Sequence, residues 1–121
     1  MIKTIIGYTK TLAGSQVQGT TDGLGTAALF YSPNAVAVDS SGNVFVGDNC
    51  SIRKITSAGT VTTIAGSITT CSQVDGSLTS ARFGVIQGLN FDSTRNQLLI
   101  SDTGNSRFKY LSFTCEFFLS L

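Results

Sequence analysis

The sequence predicts an all-β chain made of two copies of one unit, each a sheet of four short antiparallel strands, with the sheets stacked face to face. Three observations predict it. A turn–strand–turn–strand series from Asp39 to Thr56 (DSSGNVFVGDNCSIRKIT) returns as Asp92 to Asn96, Leu98 to Ile100, Asp102 to Asn105 and Phe108 to Leu111. The apolar runs inside it, Val44 to Val46 and Leu98 to Ile100, are apolar at consecutive positions. A strand with one face in water would alternate, so these strands are covered on both faces. Thirteen glycines and a single proline suit short strands joined by tight turns. Four-stranded sheets stacked at a fixed sequence period are the blades of a β-propeller, and two of them make a partial one.

Taken in order, residues 1–13 read as strand, beginning with Ile2, Ile5 and Ile6. Thr11 to Ser15 (TLAGS) matches Thr63 to Ser67 (TIAGS), so residues 1–15 are read as the last strand or strands of a preceding unit. The first repeat, with its connector, covers 16–67. Asp22-Gly23 signals a turn, and Thr26 to Phe30 is read as one helical turn capped by Thr26. Strands are expected at about 35–39, 43–48, 52–56 and 60–65. The second repeat covers 68–112, with Asp75-Gly76 in place of Asp22-Gly23 and Phe83 in place of Phe30. The paired rings suggest one aromatic tucked under each connector. Strands are expected at about 88–92, 97–102 and 107–112, with 113–119 as the fourth. Residues 113–121 form a diverged or truncated tail. The repeat distance is 53 at Asp39/Asp92, 54 at Asp48/Asp102 and 56 at Ile52/Phe108. Length changes confined to turns leave a strand framework intact.

Composition bounds the chemistry. At 121 residues there is room for one domain at most. The net charge is +1, and no basic cluster exceeds Arg53-Lys54. That argues against nucleic-acid binding, which needs a basic stripe. The chain has no histidine, which removes Ser-His-Asp and Cys-His catalysis and most zinc sites. Its three cysteines show no CxxC spacing, and an odd count leaves at least one thiol free or paired outside the chain. Cys50 and Cys71 both fall in predicted loops and are candidates for a pair, although loop placement alone does not fix their separation. No apolar run reaches the ~18 residues of a membrane span. The N-terminus is unlike a signal peptide.

The succession TLAGS, DGLGTAALF, PNAVAVDSSGNVFVGDN, IRKIT and TVTTIAGS resembles the NHL-repeat β-propellers, and DTGNSRFKYL is similar to their DTGNxRIxxx turn and strand. The resemblance covers about residues 8–112. The turn Asp48 to Ser51 is shortened and lacks an arginine equivalent to Arg107. The second repeat replaces Pro33 with Ile86, Ala37 with Asn90 and Gly42 with Arg95, and the tail after Leu111 does not match the expected TVTTLAG-like strand. The resemblance implies rings of five or six blades. Two blades therefore imply a fragment of a larger ring, or a chain that self-associates through its open blade edges.

Candidate sites follow. Six of the seven acidic residues are aspartates in matched pairs: Asp22/Asp75, Asp39/Asp92 and Asp48/Asp102. Carboxylates at one rim suit a cation, but recurrence in every unit favours bonding to turn N–H groups. Asp39, Asp48, Asp92 and Asp102 are therefore read as structural turn residues, with Arg107 pairing across its turn to Asp102 or bonding the turn carbonyls. Arg53, Lys54, Lys109 and Tyr110 are read as a solvated outer-strand face, with RNA contact disfavoured. Asn34, Gln87 and Asn90, near the start of the innermost strands, are the candidate binding residues at the channel end. Phe113, Phe117, Phe118 and Leu119 are read as an apolar tail that packs as a last strand or is disordered. No catalytic residues, metal ligands or cofactor are expected. The function expected is a non-enzymatic scaffold for a protein partner. The alternatives are a fragment of a metal-dependent hydrolase or lyase propeller, or a weak RNA binder.

Overall fold

The computed structural model describes residues 7–114. Two antiparallel sheets account for its strands. The first comprises β1 (Gly23–Leu24), β2 (Pro33–Val38), β3 (Val44–Asp48), β4 (Ser51–Ile55) and β5 (Thr60–Gly66), in the order β1-β5-β4-β3-β2. The second comprises β6 (Ile86–Asp92), β7 (Gln97–Asp102) and β8 (Arg107–Ser112), in sequence order. The fold is a partial β-propeller. Strands start within about two residues of the expected positions because the turn signals fix them. Asp39 accepts the N–H groups of Ser41 and Asn43, and Asp92 accepts those of Thr94 and Arg95.

The two apolar runs lie in different sheets, stacked on each other. Phe45, Ile52 and Ala65 of the first sheet meet Ile86, Leu98 and Ile100 of the second. Each isoleucine or leucine so buried contributes about 1.5–3 kcal/mol. Phe45 and Phe91 stack with centroids 5.7 Å apart, and Phe113 closes the cluster 5.5 Å from Phe45. Gly47 sits under Ile86: a Cβ at Gly47 would lie 2.7 Å from Ile86 Cγ2, so only glycine admits this approach. Consecutive apolar residues then divide between faces. Phe45 enters the shared core, while Val46 joins Ala28, Ile55 and Val61 on the other side of the first sheet, against Phe30 and Ala13. Beyond that cluster this outer face is open at Val36 and Val38, which are 63% and 56% exposed. The outer face of the second sheet is open at Leu99, Phe108 and Tyr110, which are 43%, 88% and 69% exposed.

The connectors repeat at backbone level. Leu29 N–H donates to Thr21 C=O at 2.9 Å, and Arg82 N–H to Val74 C=O at 2.9 Å. Gly19 N–H donates to Phe30 C=O at 3.1 Å, and Ser72 N–H to Phe83 C=O at 3.0 Å. Cys50 and Cys71 form a disulfide with Cα atoms 5.3 Å apart, tying the β3–β4 turn to the second connector. That same turn holds the connector at both ends: Ser67 N–H donates to Cys50 C=O, and Ile86 N–H to Asn49 C=O at 2.9 Å.

Several expectations are corrected. Residues 7–13 are not strand, because no described sheet lies beside them to complete their hydrogen bonds. The helical turns are 3-10 turns, Gly25–Ala27 and Leu78–Ser80, and Thr26 is not a cap. The first sheet gains a fifth strand, the two residues of β1. The second has three strands among the described residues; Phe113 prolongs the β7–β8 hairpin, its N–H bonded to Asn96 C=O at 3.0 Å, and joins Leu111 against the inter-sheet core. The rest of the expected fourth strand, with Cys115, Phe117, Phe118 and Leu119, lies outside the described residues. No helix among the described residues is long and apolar enough to cross a membrane.

Candidate functional site

Each repeat holds one cation between two aspartates. In the first, the Arg53 side chain is fully buried. Its Nη1 donates to Asp48 Oδ2 at 2.9 Å and to Leu29 C=O at 2.8 Å; its Nη2 donates to Asp22 Oδ1 and to Thr21 C=O, both at 2.9 Å. The guanidinium lies 4.8 Å over the Phe30 ring. Asp48 also accepts Tyr31 N–H at 3.0 Å and Ser32 N–H at 2.6 Å, so it anchors the connector rather than its own turn. Asp22 accepts the Thr63 N–H at 2.9 Å and hydroxyl at 3.0 Å, which locks β5 in place. Partial burial raises the Asp22 carboxyl pKa, but the Thr63 N–H and the Arg53 guanidinium outweigh it and hold it below its usual value.

In the second repeat Lys109 takes the part of Arg53. Its Nζ lies 3.2 Å from Asp75 Oδ1, 4.0 Å from Asp102 Oδ2 and 5.3 Å from the centroid of the Phe83 ring, and it donates to Arg82 C=O at 3.1 Å. Asp102 accepts Gly84 N–H and the Asn105 amide, each at 2.9 Å. Every partner has its counterpart in the first repeat: Asp22/Asp75, Asp48/Asp102, Phe30/Phe83, and the carbonyls of Leu29 and Arg82. The reading of Arg53 and Lys109 as a solvated face is therefore corrected. Arg53 stands opposite Val46 and Lys109 opposite Ile100, so regular strand pairing turns both cations to the buried side. The signal was present in the sequence: two Asp pairs, one Phe pair and one basic pair shared nearly one period. Tyr110 is exposed and Lys54 half-buried.

The remaining predicted residues separate. Asp39 and Asp92 hold their own hairpin turns. For Asp39, desolvation raises the pKa, but bonds from the Asn43 amide and N–H outweigh it; for Asp92 the Arg95 side chain leads, and both carboxyls sit below their usual value. Arg107 donates to Asn105 C=O at 3.2 Å, bonding its turn rather than Asp102. Asn34 and Gln87 occupy equivalent places: each is the unpaired residue of a register shift near the start of its edge strand, between Pro33 and Ala35 in β2 and between Ile86 and Gly88 in β6. Both are exposed, and β2 and β6 lie against each other. Asn90 does not join them. It sits mid-strand opposite Leu99, on the outer face of the second sheet. Among the described residues no three of His, Cys, Asp and Glu converge on a metal-sized point. A groove of about 520 Å³ lies between β8 and the segment around Asp75 and Leu78.

No family model and no curated protein matches the chain. Solved structures do. A structural-genomics protein of unknown function from Bacteroides thetaiotaomicron is 29% identical with a TM-score of 0.75, over 82% of this chain and 26% of that one. An auxiliary nutrient binding protein from the same organism is 27% identical with a TM-score of 0.68, over 82% and 28%. Another, from Bacteroides ovatus, is 25% identical with a TM-score of 0.70, over 82% and 27%. The chain thus spans about a quarter of each of these proteins.

Proposed function

We propose that the chain is a non-enzymatic segment of an NHL-type propeller. It serves as a scaffold for a protein partner, bound at the end of the stack that carries Asn34 and Gln87. One observation carries this reading. The repeated aspartates and the two central cations are engaged in bonds that hold strands and connectors, whereas the two bulged amides stand exposed at equivalent places. A bulge frees a side chain from the ladder and re-aims it, a common device beside binding sites. RNA binding loses support, because Arg53 and Lys109 are spent inside the protein. A second reading, favoured by the two nutrient binding proteins of similar fold, is a small soluble ligand at the same end.

The test places a photo-crosslinking residue at Asn34, at Gln87 and, as a control, at Arg95 on the opposite hairpin. The expected result is the same discrete protein adduct from Asn34 and Gln87 and none from Arg95. Adducts from Arg95 alone, or a stoichiometric metal ion recovered with the purified chain, would overturn the reading.

A further inference from the structure

Among the described residues, the chain contains a strand-like segment without a sheet and a sheet without a fourth strand. In the first repeat β5 runs between β4 and Gly23–Leu24, paired with both. In the second, the corresponding space lies between β8 and the segment from Val74 to Leu78, and it is the 520 Å³ groove, walled by Leu78, Phe83 and Tyr110. The sequence that fills this space in the first repeat, Thr60 to Ser67 (TVTTIAGS), has its counterpart at Tyr8 to Ser15 (YTKTLAGS).

The counterpart is already in position. Gly66 has φ +77°, and a Cβ there would lie 2.8 Å from the Phe83 ring, in the connector of the second repeat. Gly14 has φ +96°, and a Cβ there would lie 3.1 Å from the Phe30 ring, in the connector of the first. Gly14 and Phe30 therefore repeat the relation of Gly66 and Phe83. Residues 8–15 stand to the first sheet as β5 stands to the second, with Tyr8 and Leu12 exposed. The same chain cannot place them in its own groove. Ala13 packs on the Val46 side of the first sheet, away from the second, and Gly14 N–H is tied to Gly25 C=O at 3.0 Å.

We propose that a second copy fills the groove. Its residues 8–15 pair with β8, and its first sheet covers Leu99, Phe108 and Tyr110 in the same movement, because one rigid-body step, the step that relates the two sheets of one chain, delivers both. Phe108 is the counterpart of Ile52, which is fully buried between the sheets. Val36 and Val38 of the incoming copy are the counterparts of Leu89 and Phe91, which pack in the existing inter-sheet core. The contact is head-to-tail, so it closes into a ring or continues as a filament. It stands independently of the scaffold reading.

Two full-length variants test it: Leu12→Asp in the donor segment and Phe108→Asp on the acceptor face. Both sites are exposed in the single chain, so the melt of each variant should match that of the wild type. By light scattering across a concentration series, the wild type should assemble and each variant alone should be monomeric. An equal mixture should form a one-to-one heterodimer that does not grow, since one variant keeps its acceptor and the other its donor. A monomeric wild type overturns the proposal; that is the result expected if the chain's own tail, or further sheets of a longer chain, fill the groove. So does continued assembly of either variant, or failure of two folded variants to pair.

Discussion

The Arg53 and Lys109 centres are one design executed to different depths. Both place a cation on the third strand between a connector aspartate and a strand-end aspartate, with a phenylalanine ring beneath. The first is the more closed, with Arg53 fully buried and Asp22 45% exposed. Its connector aspartate is capped by Thr63 of β5, and Arg53 makes four hydrogen bonds. The second lacks a strand equivalent to β5 among the described residues. Asp75 is left 87% exposed, and Lys109 stands 4.0 Å from Asp102. The fourth strand therefore decides whether the ion cluster is a buried structural joint or a half-open one. A neutral amide also shares the task in the second repeat, where Asn105 donates to Asp102.

The comparison is broken most completely by removing what both centres lean on. Ile100→Asp puts a carboxylate into the core between the sheets, where Ile100 is 1% exposed, and should cost well over about 4 kcal/mol. Loss of any cooperative thermal transition is the expected result. A retained melt would mean that the sheets do not depend on each other. Arg53→Met strands Asp48 without its cation in a buried site and should cost about 3–5 kcal/mol in urea unfolding. Removal of the disulfide by Cys71→Ser, or by reduction, should cost about 3 kcal/mol, as expected for a short closed loop. Lys109→Met should cost only about 1 kcal/mol, because its nearer partner is solvated. Equal losses at Arg53 and Lys109 would erase the distinction between a more closed and a more open centre.

The smallest effect is in acid. The Asp22 carboxyl is held below its usual value in the folded state. Its contribution is therefore fully present above the unfolded pKa of about 3.9 and fades as pH falls through the folded value. Asp22→Asn should flatten that part of the stability profile, read as melting temperature against pH. An unchanged acid limb would show that the Arg53–Asp22 pair contributes nothing.

The repeat, the strand positions and the stacking were legible in the sequence because they depend on local punctuation and apolar runs. Asp39 to Asn43 and Asp92 to Asn96 announce turns whatever surrounds them, and the Phe30/Phe83 match placed a ring under each connector. What was not legible depends on register. Arg53 points in because it stands opposite Val46, and nothing in SIRKI says which residue of β3 it will face. Asn34 and Gln87 read as channel-end residues, but the bulges that free them appear only when β2 and β6 are laid on their partners. Asn90 looked equivalent by position and is not, since strand alternation sends it to the other face. Residues 7–13 carry a strand-like sequence and are not strand, because a strand exists only with a neighbour.

The turn at Asn49 and Cys50 has a mechanical consequence. It receives the start of the second connector at Ser67, Cys71 through the sulfur link and the end at Ile86, so both ends of that segment hang from one peg. A protease cut between Thr79 and Ser80 should leave both halves seated on the peg, and an insertion there should lengthen the loop without changing the pitch of the stack.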